Sequence, residues 1–138
     1  MNLPSILAEI VVAEDNPADV RLIREALEEY RIKGSLVVFT DGEKAIQYLD
    51  AIDAQLGRVP DLVIIDLNLP KKSGHEVLER MRRSVRLDHT PAIVLTSSYT
   101  REDRAEAVRL GASVYIRKPT HLQDFIDVGA IFKRELGQ

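Results

Sequence analysis

The stretch DLVIIDLNLPKKSG, residues 61–74, runs Leu62, Val63, Ile64 and Ile65 without a break into the carboxylate of Asp66. A proline, a lysine pair and a glycine follow. A strand buried on both faces reads as such an unbroken aliphatic run, and in open α/β sheets ligands bind just beyond the carboxyl ends of these strands. Asp66 therefore stands where chemistry is usually done. The alternative is a loop aspartate that caps the next turn.

Working outward from residue 66, short apolar runs alternate with longer amphipathic ones. Strand candidates lie near Glu9 to Ala13, Leu36 to Thr40, Leu62 to Asp66, Ala92 to Thr96 and Val114 to Arg117. Each intervening run opens with a helix start. In DNPADVRLIREALEEY, Asn16 is the N-cap and Pro17 the first helical residue, with Val20, Ile23 and Leu27 on one face. SGHEVLERMRRSV carries a capping box in Ser73 and Glu76, then Val77, Leu78, Met81 and Val85. TREDRAEAVRLG opens at Thr100 with acids in its first turn and stops at Gly111. THLQDFIDVGAIFKREL pairs Thr120 with Gln123 over a core stripe of Leu122, Phe125, Gly129, Phe132 and Leu136, and DGEKAIQYLDAID supplies a further helix.

Five strands alternating with five helices imply right-handed crossovers and a doubly wound parallel sheet covered on both faces. The five-strand order 2-1-3-4-5, flavodoxin-like, fits the count and sets strands one and three side by side.

The 138 residues fit a single domain, 1–138, with no repeat, low-complexity tract or Gly/Ser linker. There is no cysteine, which excludes disulfides, thiolate metal sites and cysteine catalysis. The 19 basic and 22 acidic residues give a net charge of −3, and the basic ones are dispersed, so no nucleic-acid footprint is expected. The N-terminus MNLPSILAEIVVAED lacks a basic start, and no segment approaches the ~18 apolar residues of a membrane span. The expectation is a soluble, cytoplasmic protein.

The polar residues at the strand ends form a set. Glu14 and Asp15 follow strand one, Asp66 strand three, Thr96 ends strand four, and Lys118 with Pro119 follows strand five. Each alone has an ordinary reading as a dipole partner, a turn hydroxyl or a solvated lysine. Five on one edge do not. Three carboxylates that close repel by about 4 kcal/mol per pair at 4 Å and an effective dielectric of ~20, so a cation belongs among them. All-oxygen donors suit Mg²⁺. With a carboxylate nucleophile, a lysine and a hydroxyl, such a site suits phosphoryl transfer.

AEDN, VIIDLNLPKKSG, VLTSS and YIRKP, in this order and at these intervals, resemble the receiver domain of two-component response regulators over nearly the whole chain. The resemblance implies that Asp66 is the phosphoacceptor, with a histidine kinase as donor. It implies Asp15 and the Asn68 carbonyl as metal ligands, with Glu14 acting through metal-bound water. Thr96 would be the switch hydroxyl, Lys118 the charge partner, Tyr115 the aromatic that turns inward, and Lys118–Pro119 a cis bond. By the same resemblance, Asn68 and Ser98 stand at positions similar to those that tune self-dephosphorylation in the family. So little chain follows Lys118 that no effector domain is expected, and output would come through an unknown downstream protein. NPADVRLIREAL, DLNLP and KPTHLQDFI further resemble the single-domain regulators paired with bacterial phytochrome histidine kinases.

A haloacid dehalogenase-type enzyme would need a second aspartate where Asn68 stands. A flavin or nucleotide module would need a phosphate loop after strand one, where acids stand instead. An inactive binding receiver would not keep the full acid, Thr and Lys set. His75, His89 and His121 have no triad or metal spacing. Lys71 and Lys72 read as a solvated pair, with steering of a phosphodonor as the alternative. On the last helix, ~100° per residue leaves Ile131 opposite the core stripe and Val128 at its margin. Ordinary exposed aliphatics are one reading. The other is a homodimer surface shared with the fourth helix and fifth strand.

Overall fold

The computed structural model describes residues 7–138. The start of the N-terminal stretch considered above, residues 1–6, lies outside them. The strands are β1 (Ala8–Ala13), β2 (Gly34–Phe39), β3 (Leu62–Ile65), β4 (Ala92–Thr96) and β5 (Val114–Arg117). The helices are α1 (Pro17–Glu29), α2 (Gly42–Asp53), α3 (Gly74–Arg82), α4 (Arg101–Arg109), α5 (Leu122–Ile126) and α6 (Gly129–Glu135). All strand pairs are parallel, in the expected order β2-β1-β3-β4-β5. The fifth helical connection is made of two short helices in succession, α5 and α6. Among the described residues no helix is long and apolar enough to cross a membrane.

Period-2 alternation sorts the aliphatic runs into two cores. Val11, Ala13, Val63, Ile65, Ala92 and Val94 join Leu49, Leu78, Met81 and Ala107 on one face of the sheet. Ile10, Val12, Leu62, Ile64, Ile93 and Leu95 join Ile23, Leu27, Phe125 and Phe132 on the other. The central strands are buried on both sides, which explains why they read as continuous runs. Helix starts are fixed by the expected side chains: Asn16 accepts from Ala18 N, Ser73 and Glu76 form a reciprocal capping box, and Thr100 accepts from Asp103 N.

Three expectations for the helix ends are corrected. Val85 is 89% exposed, because α3 stops at Arg82 and the chain leaves the helical path before the next turn can carry Val85 inward. Thr120 does not cap the last helix, which instead begins after His121 without a side-chain cap bond. The third concerns the proposed partner surface. Val128 is 5% exposed and Ile131 is half-buried against the core, whereas Leu122 is 60% exposed. Between Phe125 and Ile131 the backbone makes i→i+3 bonds, from Val128 N to Phe125 O, Ala130 N to Asp127 O and Ile131 N to Val128 O. At three residues per turn Phe125, Val128 and Ile131 eclipse, so both supposed surface residues turn toward the sheet. Gly129 makes the approach possible, since a Cβ there would lie 2.5 Å from Tyr30 Cδ1 and 2.7 Å from the Ala26 carbonyl oxygen on α1.

Lys118–Pro119 is also corrected: no described peptide bond is cis. Trans is the lower state of an X–Pro bond by about 0.5–1 kcal/mol. Lys118 N still donates to the Thr96 carbonyl at 2.7 Å, which continues the β4–β5 ladder one residue past the strand.

A carboxylate placed at residue 128 has no partner in the core. Val128→Glu should lower stability by about 3 kcal/mol or more, whereas Leu122→Glu should stay within about 0.5 kcal/mol of wild type, both read from urea unfolding midpoints.

Candidate functional site

The ends of β1, β3, β4 and β5 deliver polar residues to the same edge, and the ladder continues past β1, β3 and β5. Glu14 N donates to the Phe39 carbonyl (3.0 Å) and Asp66 N to the Ala13 carbonyl (3.0 Å). The loop after Asp66 then folds back tightly: Gly74 N donates to Leu67 O at 3.0 Å, and a Cβ on Gly74 would lie 2.2 Å from the Asp66 carbonyl oxygen. No larger residue fits there unless the loop moves.

The Asp66 side chain is buried and fully engaged. Its Oδ1 accepts from the Thr96 hydroxyl (2.8 Å) and from Asn68 N (3.1 Å), and its Oδ2 accepts from Lys118 Nζ (2.9 Å). Lys118 Nζ also donates to Glu14 Oε1 (3.0 Å) and Asp19 Oδ2 (2.7 Å). Carboxylate oxygens of Glu14, Asp15 and Asp66 lie within 4.8 Å of one another. Thr96, Glu14 and Asp66 are buried, while Asp15 and Asn68 are exposed and leave the acidic cluster open on one side.

Burial, then contact with Asp66, pushes the Glu14 carboxyl up to about 8, against the opposing pull of Lys118. Asp66 moves the other way. Burial opposes its charge, but hydrogen bonds from Glu14, Lys118, Asn68 N and Thr96 outweigh that and hold its carboxyl below the usual range. Lys118 loses to burial but gains more from Asp19 and Asp66, so it stays firmly charged. The all-oxygen donors and the surplus of negative charge fit a hard divalent cation.

Tyr115 is half-buried, donates from its hydroxyl to the Ser98 carbonyl at 2.9 Å and lies under the Arg104 guanidinium, 5.8 Å from ring centroid. Ser98 N in turn points at Thr96 Oγ1 (3.3 Å), and the Ser98 hydroxyl bonds Asp103. His75, read as a helix-start residue, places Nε2 3.1 Å from the Asp103 carbonyl and so ties α3 to α4. His89 and His121 are exposed. Lys71 lies 3.9 Å from Asp41 and Lys72 3.9 Å from Glu76, both largely solvated. Val128 and Ile131 lie away from this edge, in the core packing of α5 and α6. The sequence reading missed Asp19. An acid in the first turn of a helix is ordinarily a dipole partner, and only the fold shows that this turn faces Lys118.

Residues 10–128 match the response regulator receiver domain family. The chain is 34% identical over 116 residues to response regulator Rcp1 of Synechocystis sp. (strain ATCC 27184 / PCC 6803 / Kazusa), covering 83% of this chain and 79% of Rcp1. A crystal structure of the Mn²⁺-bound form of Rcp1 superposes with a TM-score of 0.82 at 31% identity, covering 91% of each chain. The phosphorylated cyanobacterial phytochrome response regulator RcpA superposes with a TM-score of 0.84 at 34% identity, covering 94% of this chain and 93% of that one. The chain is also 36% identical over 115 residues to the probable methanogenesis regulatory protein FilR2 of Methanothrix harundinacea (strain 6Ac), covering 83% of this chain and 74% of FilR2.

A group whose value rises on folding stabilises the fold fully below its unfolded value and loses that contribution as pH rises through the folded one. For Glu14 the window runs from the ordinary 4.5 to about 8. Metal-free wild type should therefore lose stability across this window relative to Glu14→Gln, which cannot ionise. Urea midpoints in a chelator at pH 5 and pH 8 should show the gap between the two proteins widening at the higher pH.

Proposed function

The chain belongs to the response regulator receiver domains of two-component signalling, and from that premise we propose that Asp66 is the residue that takes the phosphoryl group. The observation that carries this reading is the buried Asp66 carboxylate, hydrogen-bonded to Thr96, Asn68 N and Lys118 beside the Glu14–Asp15 pair. A carboxylate oxygen of Asp66 attacks phosphorus of a phosphohistidine, the P–N bond breaks, and the histidine nitrogen leaves with the electron pair. Lys118 supplies fixed positive charge at the reacting carboxylate, and the Thr96 hydroxyl, already aimed at Oδ1, stands ready to donate to a phosphoryl oxygen. Asp15, Asp66 and the Asn68 carbonyl, with Glu14 behind them, would hold Mg²⁺, which when bound supplies further positive charge against the phosphoryl oxygens.

Tyr115 is the proposed relay toward partners. Its hydroxyl reaches the carbonyl of Ser98, whose N–H points at Thr96 Oγ1, so a shift of the Thr96 hydroxyl is felt two residues on and then at the ring. The donor is a sensor histidine kinase, and likeness to the phytochrome response regulator RcpA supports a bacterial phytochrome in that role. Identity to FilR2 supports a second reading, with a kinase outside photoreception. Phosphotransfer from a purified phytochrome kinase, compared with other histidine kinases, separates the two. The recipient of the signal is a further protein. A homodimer on α4, β5 and α5 remains the assembly proposed, with exposed Val108 and Leu122, each 60% accessible, as its apolar contacts in place of Val128 and Ile131.

With a small phosphodonor and Mg²⁺, wild type should gain one base-labile phosphate by intact mass, and Asp66→Asn none. Equal labelling of that variant would remove the assignment. Saturating Mg²⁺ at about 100 times its Kd should stabilise the fold by about 2.7 kcal/mol, raising Tm by several degrees. Asp15→Ala should lose most of that rise.

A further inference from the structure

Lys118 has three N–H donors and no acceptor, and all three find carboxylates: Glu14 at 3.0 Å, Asp66 at 2.9 Å and Asp19 at 2.7 Å. Two of these partners belong to the acid cluster itself. Asp19 does not. It sits in the first turn of α1, with its side chain 18% exposed against 10% for Lys118. The helix does not need it as a cap, because Asn16 Oδ1 already accepts from Ala18 N at 2.9 Å. The side-chain hydrogen bond of Asp19 goes to the ammonium, 99 residues away along the chain.

We propose that Asp19 is a positioning residue for phosphoryl transfer, anchoring the Lys118 ammonium from outside the reacting group. The proposal rests on the function assigned above to Asp66 and Lys118. As Asp66 is phosphorylated, its carboxylate ceases to be an anion and Lys118 must turn from Oδ2 toward a phosphoryl oxygen. Glu14 stands within the same acid cluster, so its hydrogen bonding changes with that event. The Asp19 contact is the one that persists through it. An ammonium pinned on that side turns about a fixed point and needs no search for its new partner, which is the kind of ordering that well-placed groups contribute to rate. Without it the flexible four-carbon stem of lysine is free to follow either remaining acid or solvent.

Acetyl phosphate with Mg²⁺ tests this on the full chain. An Asp66 oxygen bonds to phosphorus, the P–O bond to acetate breaks, and acetate leaves with the electron pair; total charge is unchanged and no proton moves. Asp19→Ala should lower the rate at saturating donor about tenfold, with little change in the half-saturating donor concentration and with the Mg²⁺-induced rise in Tm retained. Asp19→Asn, which keeps an oxygen acceptor, should recover most of the rate. A ¹⁵N signal from the Lys118 ammonium, protected by its three hydrogen bonds, should persist in wild type and Asp19→Asn and disappear in Asp19→Ala. A wild-type rate in Asp19→Ala, or an Asp19→Asn variant as slow as Asp19→Ala, overturns the role. Wild type that takes no phosphate on Asp66 would overturn the function proposed above instead. In that case, persistence of the ammonium signal in Asp19→Ala still overturns the positioning role.

Discussion

Four carboxylates, those of Glu14, Asp15, Asp19 and Asp66, meet one ammonium, that of Lys118, at the carboxyl edge of the sheet. Like charges about 4 Å apart at an effective dielectric near 20 cost about 4 kcal/mol per pair, so the fold can hold this group only by neutralising it. Lys118 does part of this by touching three of the four. Burial, which raises the proton affinity of the Glu14 carboxyl, acts in the same direction. What is left is a net negative, oxygen-lined recess with Asp15 open to solvent, a setting in which a hard divalent cation would relieve an imbalance already present.

The sheet makes such a gathering possible because its ladders run past the strands. Asp66 N reaches Ala13 O, Glu14 N reaches Phe39 O and Lys118 N reaches Thr96 O, so these three residues are each tied by a backbone bond to the strand beside them. The side chains thus hang from rigid backbone and not from mobile loop, and positions held this way keep the tolerances that a reacting constellation needs. The tight return at Gly74 does the same for the loop that carries Asn68.

These features were legible in the sequence to different degrees, for physical reasons. Residues 62–65 announce a doubly buried strand because burial on both faces removes the polar alternation, and Asp66 stands out against that run. The caps at Asn16, Ser73 and Thr100 were readable because a side-chain oxygen at a helix start acts locally. The last helix was not, since an ideal 100° step cannot anticipate the tightened turn at Asp127 and Val128, which depends on how closely Gly129 meets Ala26 and Tyr30 of α1. Val85 failed for a related reason: periodicity continues on paper after the helix has ended. The trans bond at Pro119 shows the limit of carrying geometry over from a resemblance. Asp19 was invisible because its meaning lies in a partner 99 residues away.

The two flanks of the edge differ in kind. Toward α1 the contact of Lys118 with Asp19 is charge to charge, short and largely shielded, and breaking it leaves a largely buried ion short of a partner, a loss of several kcal/mol. Toward α4 the contacts are mostly neutral, Ser98 N to Thr96 Oγ1 and the Tyr115 hydroxyl to Ser98 O, with the Ser98 hydroxyl on the Asp103 carboxylate as the exception. Each of the neutral bonds contributes about 1 kcal/mol net and can be exchanged for another at little cost. α4 is also lightly anchored, with Ala107 as its one buried residue. Elements with few buried apolar contacts are the ones that open and shift at the lowest free energy. A change of charge at Asp66 is therefore resisted on the α1 flank and yielded to on the α4 flank, which makes the region around α4 and Tyr115 the part of the molecule best able to present an altered surface to a partner.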